Sequence, residues 1–344
     1  MTPATSPLSR RTLLRGALGL GALALGGPAV LSACASGATN QVAADGTRAM
    51  TYQLSWLPTT EHSGSWIASD RGFYRDGGLS VEFLNGGPNT SRETVVMSGK
   101  ALVGGSEADV VAKAITQGAD LKIIGTRFQK SPFCILSLAD TPIKSPQEMV
   151  GKKIGVAAAN ETVFNLLLKI NNIDPASIDV VPVQFDPAPV ANREVDGQVV
   201  FVINEPTQLE AKGIDTHTFL FADHGYTLFS GVYFAKTQTV RENPEQLSAF
   251  LLAERRGWEA NIADPQLGAD LTVNVFGKDQ GFDRAQQLVE SRTIPQIMVT
   301  PDTNAGGLLT LPPALMEQNI KTLNTAGIAV TADQLFTTSI LDRL

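Results

Sequence analysis

The sequence predicts a two-lobed α/β protein in which one lobe is inserted into the other. Three observations predict it. Beyond an N-terminal targeting segment about 310 residues remain, more than the roughly 100–200 of a typical single domain. Short apolar runs alternate with helical stretches from 52 to 235, the pattern of an α/β sheet. From 243 onward the pattern is mainly helical, as a chain returning over a finished sheet would be.

Residues 1–34 read as a signal. Arg10-Arg11 precede the apolar run 16–30, the arrangement of twin-arginine export. That run is Gly- and Ala-rich and shorter than the roughly 20 residues a spanning helix needs. Leu31-Ser32-Ala33-Cys34 has the form of a lipoprotein cleavage box, which makes Cys34 the expected lipidated N-terminus of the mature chain. An ordinary signal peptide with an incidental cysteine is the alternative. Residues 35–49, rich in Ala, Gly, Ser, Thr and Asn, read as a tether.

Strands are expected at 52–56, 79–84, 101–105, 121–126 and 133–138 in the first lobe. The second set lies at 152–156, 179–183, 199–203 and 219–222, with 231–235 carrying the chain back. Helices are expected at 63–74, 91–98, 107–117, 161–171, 189–195 and 205–212, then at 244–262, 265–276, 282–296 and 312–325. The division is therefore 50–140 with 234–344 for lobe 1 and 141–233 for lobe 2, crossing near 138–146 and 228–236. This is the type II, Venus-flytrap architecture of periplasmic-binding-protein folds, with a ligand site in the cleft.

Charge and motifs narrow the function. The whole chain has 27 basic and 34 acidic residues. Without the signal's three arginines, 24 basic residues face 34 acidic ones, a formal net of −10 that argues against nucleic acid as a partner. Cys34 and Cys134 are the only cysteines, so no disulfide framework supports the fold. Cys134 sits in the apolar run 133–136 and reads as a buried, inert thiol. His-Glu-x-x-His, Gly-x-Ser-x-Gly and P-loop motifs are missing, and His62, His217 and His224 lack zinc spacing. No catalytic residue, metal or cofactor is expected.

Ligands of open α/β sheets sit beyond the carboxyl ends of the strands. The polar and aromatic residues just past those ends are Trp56, Glu61 and His62, then Ser106 and Glu107, Asn160, Phe185 and Asp186, and Asn204 and Glu205. Helix capping competes for many of them, since Ser, Asn and a first-turn Glu suit helix starts. Glu107 leans towards capping and Asn204-Glu205 towards ligand. Trp56 reads as a stacking face or as core, and His62 as either a ligand contact or a surface histidine.

The chain resembles the solute-binding proteins of the nitrate, sulfonate and thiamine-precursor type. The likeness rests on Trp56-Leu57-Pro58-Thr59-Thr60-Glu61-His62-Ser63-Gly64, Asp70-Arg71-Gly72-Phe73-Tyr74 and Ser98-Gly99-Lys100-Ala101. It continues through Phe128-Gln129-Lys130-Ser131-Pro132, Gly151-Lys152-Lys153-Ile154-Gly155-Val156 and Phe185-Asp186-Pro187. Glu194-Val195-Asp196-Gly197, Asn204-Glu205-Pro206 and Arg256-Gly257-Trp258 complete it. The resemblance implies a monomer, lipid-anchored on the outer face of the cytoplasmic membrane, that hands a small molecule to an ABC permease and its ATPase. The Trp-x-Pro…His and Asn-Glu-Pro segments look like the branch serving thiamine-precursor pyrimidines. Riboflavin, an alkylsulfonate or nitrate are the other ligands the resemblance admits. The family also contains pyrimidine-synthase enzymes that use a cysteine-rich segment and an active-site lysine. Here 224–234 has no cysteine and Ser106 stands near the lysine's place, which implies a binder.

Overall fold

A computed structural model describes residues 46–344 apart from 88 and 89. The signal, Cys34 and most of the expected tether lie outside the described residues. The first sheet contains β1 (Arg48–Gln53), β2 (Leu79–Leu84), β3 (Val103–Ser106), β4 (Leu121–Phe128) and β10 (Ser230–Lys236), in the order β2-β1-β3-β10-β4. The second contains β5 (Phe133–Leu138), β6 (Lys153–Val156), β7 (Asp179–Pro182), β8 (Gly197–Phe201) and β9 (Thr216–Leu220), in the order β7-β6-β8-β5-β9.

The two sheets share one plan. Strand β1 runs parallel to β2 and β3, and β6 runs parallel to β7 and β8. Each sheet receives one strand reversed, β10 in the first and β5 in the second. Both reversed strands follow a chain crossing. The strand at 133–138, expected from sequence to close the first lobe, thus pairs in the second sheet, and the whole of 230–236 pairs in the first. Apolar content alone could not decide this, because a buried strand looks the same in either sheet. The crossings accordingly lie between Phe128 and Phe133, and between Leu220 and Ser230.

Helix boundaries differ from expectation where backbone geometry overrides composition. The helix expected at 63–74 is two, Ser63–Asp70 and Phe73–Asp76, because Gly72 takes φ +76° and stops the first. The helix expected at 265–276 becomes a π turn over Thr272–Phe276, closed by Gly277 N–H donating to the Thr272 carbonyl at 2.7 Å. Phe276 there stacks on Trp66, centroids 4.3 Å apart and planes 9° from parallel.

Several motif residues hold this fold. A Cβ on Gly257 would lie 2.0 Å from the Gly64 carbonyl oxygen, and one on Gly64 would lie 2.4 Å from Trp258. Only glycines let helix Ser63–Asp70 cross Pro244–Ala263 so closely. Beneath that crossing Glu254 is fully buried and accepts from Ser65 Oγ, Tyr74 Oη and Tyr233 Oη. Cys134 is buried in the second sheet's core, and burial, then Glu205 nearby, push its thiol up and keep it inert.

Candidate functional site

The parallel strands of both sheets aim their carboxyl ends at one cavity of about 560 Å³. Of the strand-end residues expected there, Trp56, Glu61, Glu107, Asn160, Phe185, Asn204 and Glu205 line it. Trp56 is only half-buried, so it is not core. Its ring meets Phe185 edge to face, centroids 5.1 Å apart and planes at 67°. One ring follows a first-sheet strand and the other a second-sheet strand, and Phe185 remains 41% exposed.

Capping does not account for the amides. Asn160 and Asn204 stand at the N-caps of Glu161–Ile170 and Glu205–Ala211, yet neither side chain makes the cap bond. Glu107 likewise precedes Ala108–Thr116 without a side-chain cap; Oε1 accepts weakly from Gly231 N–H at 3.4 Å. Burial pushes the Glu107 carboxyl up to about 8. Glu205 opens its helix with Oε2 accepting from Phe201 N–H at 3.2 Å. Burial lifts it to about 7, against the pull of backbone N–H groups.

Three expected contacts are absent from the cavity wall. His62 is buried behind it. Burial, then Arg127, keep its ring neutral, so Nδ1 accepts from Arg127 Nη1 at 3.1 Å and Nε2 faces Ser55 Oγ at 3.4 Å. Ser106 donates instead to Glu93 Oε1 at 2.5 Å. Asp186 is exposed, and its Oδ1 accepts from Ala188 N–H at 2.9 Å in a local turn. In all three, nearby partners take the polar atoms before a ligand could.

Arg127 organises the first-sheet wall. It is the last-but-one residue of β4 and lies 3.0 Å from Glu61 with both side chains almost fully buried. Nη1 donates to the Glu61 carbonyl at 2.5 Å, Nη2 to Ser55 Oγ at 2.9 Å, and Nε to the Gly231 carbonyl at 3.2 Å. Ser55 Oγ in turn donates to Glu61 Oε1 at 2.8 Å. Gly231 takes φ +58°, and a Cβ there would lie 2.7 Å from Arg127 Nε. Reading strand ends could have found Arg127, since it directly follows the run 121–126.

The C-terminal helices supply a third wall that strand-end reading could not reach. Glu290, on helix Arg284–Thr293, lines the cavity and is 1% exposed. Its Oε2 accepts from Gln287 Nε2 at 3.0 Å, while Oε1 has no partner. Gln287 is fixed from the other side, its Oε1 accepting from Thr60 N–H at 2.9 Å. Burial, then Glu61, push Glu290 up to about 8. Chemically the cavity offers an aromatic edge, two unpaired amides and several acids held near or above neutrality. Among the described residues no group of His, Cys, Asp or Glu could hold a metal ion, and no helix is long and apolar enough to cross a membrane.

Two α/β sheets with one exchanged strand each and a cavity between their strand ends define the periplasmic-binding-protein fold. Solved structures agree. The periplasmic aliphatic sulphonate binding protein of Escherichia coli superposes with TM-score 0.62 at 13% identity, covering 81% of this chain and 91% of that one. The ligand binding component of an ABC-type import system from Staphylococcus aureus gives 0.63 at 12% identity, covering 85% and 98%. The chain belongs to the NMT1/THI5 like family, whose model matches residues 59–267. It is 25% identical to a riboflavin-binding protein of Chloroflexus aurantiacus, over 69% of each chain. It is 24% identical to a 4-amino-5-hydroxymethyl-2-methylpyrimidine phosphate synthase of Legionella pneumophila, over 72% of this chain and 79% of that one. A formylaminopyrimidine-binding protein of Halalkalibacterium halodurans is also 24% identical, over 74% and 79%.

Proposed function

We propose that this protein is an exported solute-binding protein that captures a planar, donor-bearing heteroaromatic molecule and delivers it to an ABC permease and its ATPase. A thiamine-precursor pyrimidine is the first reading. The observation that carries it is the carboxyl-rich hydrogen-bonding wall of the cavity. Its acids are Glu61, Glu107, Asp109, Glu205 and Glu290, and its cations only Arg92 and Lys113. Arg127 neutralises Glu61, and burial pushes Glu107 and Glu290 up to about 8, so near neutrality the wall offers mainly carboxyl donors and acceptors. A flat ring with N–H groups suits it, stacked on Trp56 and read at its edge by Glu205 with Asn204. The formylaminopyrimidine-binding relative points the same way. A fused ring such as a flavin is the second reading. A cavity of about 560 Å³ falls in the roughly 300–1,000 Å³ range that encloses ligands larger than one ring, and another relative is named for riboflavin. One relative is named as a synthase, so turnover is the competing class. Binding is favoured here because Ser106, near the enzyme lysine's place, is tied to Glu93.

Calorimetry with an aminopyrimidine, riboflavin and taurine tests the reading. We expect stoichiometric binding of one of the first two and none of taurine. Tight taurine binding alone would discard the ligand class, and steady conversion of an aminopyrimidine would replace the binder by an enzyme.

The proposal places the protein on the outer face of the cytoplasmic membrane through lipid on Cys34. Replacing Cys34 by Ala is expected to move the protein from the membrane to the soluble fraction, because stable anchoring takes more than one acyl chain and Cys34 is where they attach. An unchanged membrane fraction would count against the anchor.

A further inference from the structure

Helix Arg284–Thr293 packs against the turn Thr60–His62 of the first lobe and against helix Glu205–Ala211 of the second. Three acids of the cavity wall stand on these elements: Glu61, Glu205 and Glu290, each at most 5% exposed. Glu290 is tied to the turn that carries Glu61 through Gln287, whose Nε2 donates to Glu290 Oε2 at 3.0 Å and whose Oε1 accepts from Thr60 N–H at 2.9 Å. Among the described residues Arg127 is the only base paired with any of the three, and it shares Glu61 Oε1 with Ser55, leaving Oε2 without a donor. Glu205 gives Oε2 to Phe201 N–H at 3.2 Å, and no side-chain donor reaches its Oε1. The other bases of the wall belong elsewhere: the charge of Arg92 is felt by Glu107 and Asp109, and Lys113 is exposed on Ala108–Thr116. Arg92 Nε, Asp109 Oδ1 and Glu290 Oε1 also lack partners, but all three atoms are sealed from the cavity. Contact with a ligand therefore falls to Glu61 Oε2 and Glu205 Oε1, and Glu290 acts on it through charge.

We propose that this part of the cavity is a subsite for a positively charged nitrogen of the ligand, bound between Glu61 of the first lobe and Glu205 of the second, with Glu290 adding its charge. An ammonium group carries three donors and no acceptor, which suits oxygens that lack donors. In the empty protein Arg127 alone faces the three acids; with the ligand two positive charges face them. Burial lifts Glu205 to about 7 and, with Glu61, Glu290 to about 8, so protons stand in for the missing cation near neutrality. A cation beside these carboxyls favours their ionised forms and sends the protons to solvent. Aromatic faces also attract cations. Trp56 and Phe282 both line the cavity, and a Cβ on Gly277 would lie 2.8 Å from the Phe282 ring and 2.9 Å from the Pro58 carbonyl oxygen, which sets Phe282 against the segment that carries Trp56. Carboxylates from both lobes make the cation a bridge that holds the lobes together. The inference rests on the flat-ring reading above and adds a charge to the ring's substituent.

The test is calorimetry near neutral pH with two pyrimidines of one shape. 4-Amino-5-aminomethyl-2-methylpyrimidine carries an ammonium where 4-amino-5-hydroxymethyl-2-methylpyrimidine carries a hydroxyl. The ammonium compound should bind about tenfold tighter or more, the usual gain of a charged over a neutral hydrogen bond. In Glu290→Gln, which keeps shape and removes charge, that gap should narrow to within about threefold while the hydroxymethyl compound binds as before. In Glu205→Gln both compounds should weaken, the ammonium compound more, and this variant carries the test if Glu290→Gln does not fold. Equal or weaker binding of the ammonium compound by the wild type overturns the charged subsite and leaves the flat ring standing. A gap undiminished in the folded variants overturns these acids as its cause. Riboflavin bound in place of both pyrimidines overturns the charge and keeps the flat ring, and binding of none of the three overturns the ring reading with it.

Discussion

Replacing Arg127 by methionine should cost about 3–5 kcal/mol of folding stability, the usual penalty for leaving one member of a buried ion pair alone. The guanidinium is 1% exposed and sits 3.0 Å from Glu61. It also holds the Glu61 and Gly231 carbonyls and the Ser55 hydroxyl. Without it the Glu61 carboxylate keeps only Ser55 Oγ as a donor. Methionine fills similar volume, so the loss isolates charge and hydrogen bonds from packing. Urea unfolding read by tryptophan fluorescence gives the measurement. Adding Glu61→Leu to Arg127→Met should restore most of the loss, because the uncompensated carboxylate goes with it. A single variant costing under about 1 kcal/mol would mean that water reaches Glu61 and that the pair is not the keystone of this wall.

The second large effect concerns ligand capture. Glu205→Gln should weaken binding of the heteroaromatic ligand roughly tenfold or more, since a hydrogen bond to a charged group is worth about 1.5–3 kcal/mol. Trp56→Ala should weaken it several-fold, from about 0.5–1.5 kcal/mol of stacking beyond area burial. The pH dependence has a definite sign. Burial raises Glu205 from its ordinary 4.5 to about 7, so its ionised, accepting form grows as pH rises from about 6 to about 8. Wild-type affinity for a ring that stays neutral, such as riboflavin, should rise over that window more steeply than that of Glu205→Gln. Glu107 and Glu290, both pushed up to about 8, titrate in the same cavity in both proteins, and the difference between the two curves belongs to Glu205. Folding stability of the empty protein should run the other way. A carboxyl raised on folding contributes most below about 4.5, and that contribution is lost as pH rises through about 7. Parallel affinity curves would remove Glu205 from the ligand edge. A Trp56→Ala variant that melts early but binds normally would make Trp56 a structural residue.

Much of the fold was legible in the sequence because strands and helices announce themselves locally. Alternating apolar runs mark nine strands close to their observed places, and a tenth, at 219–222 by sequence, lies at Thr216–Leu220. Short helices such as Thr237–Glu242, Pro301–Gly306 and Ala332–Leu335 escape such a reading. Their few turns carry too little periodicity to stand out.

The site divides along the same line. Strand-end reading finds Trp56, Glu61, Glu107, Asn160, Phe185, Asn204 and Glu205, because the direction of parallel strands is a consequence of α/β alternation and delivers every strand end to one side. It places His62, Ser106 and Asp186 with them, where partners distant or local in sequence claim their polar atoms: Arg127, Glu93 and Ala188. It cannot reach Glu290, Gln287, Arg92 or Asp109, which no strand end carries.

By itself, then, the sequence determined the two-lobed α/β class, the side of the sheets on which a ligand would sit, and the acidic, aromatic character of that side. These come from local periodicity, chain direction and composition. Only the tertiary structure decided which sheet takes Phe133–Leu138, that Arg127 and Glu61 form the buried ion pair, and that Arg92 Nε, Asp109 Oδ1 and Glu290 Oε1 remain open. Strand partners, burial and hydrogen-bond satisfaction arise between segments far apart in the chain, as the 66 positions separating Glu61 from Arg127 show, and no local pattern records them.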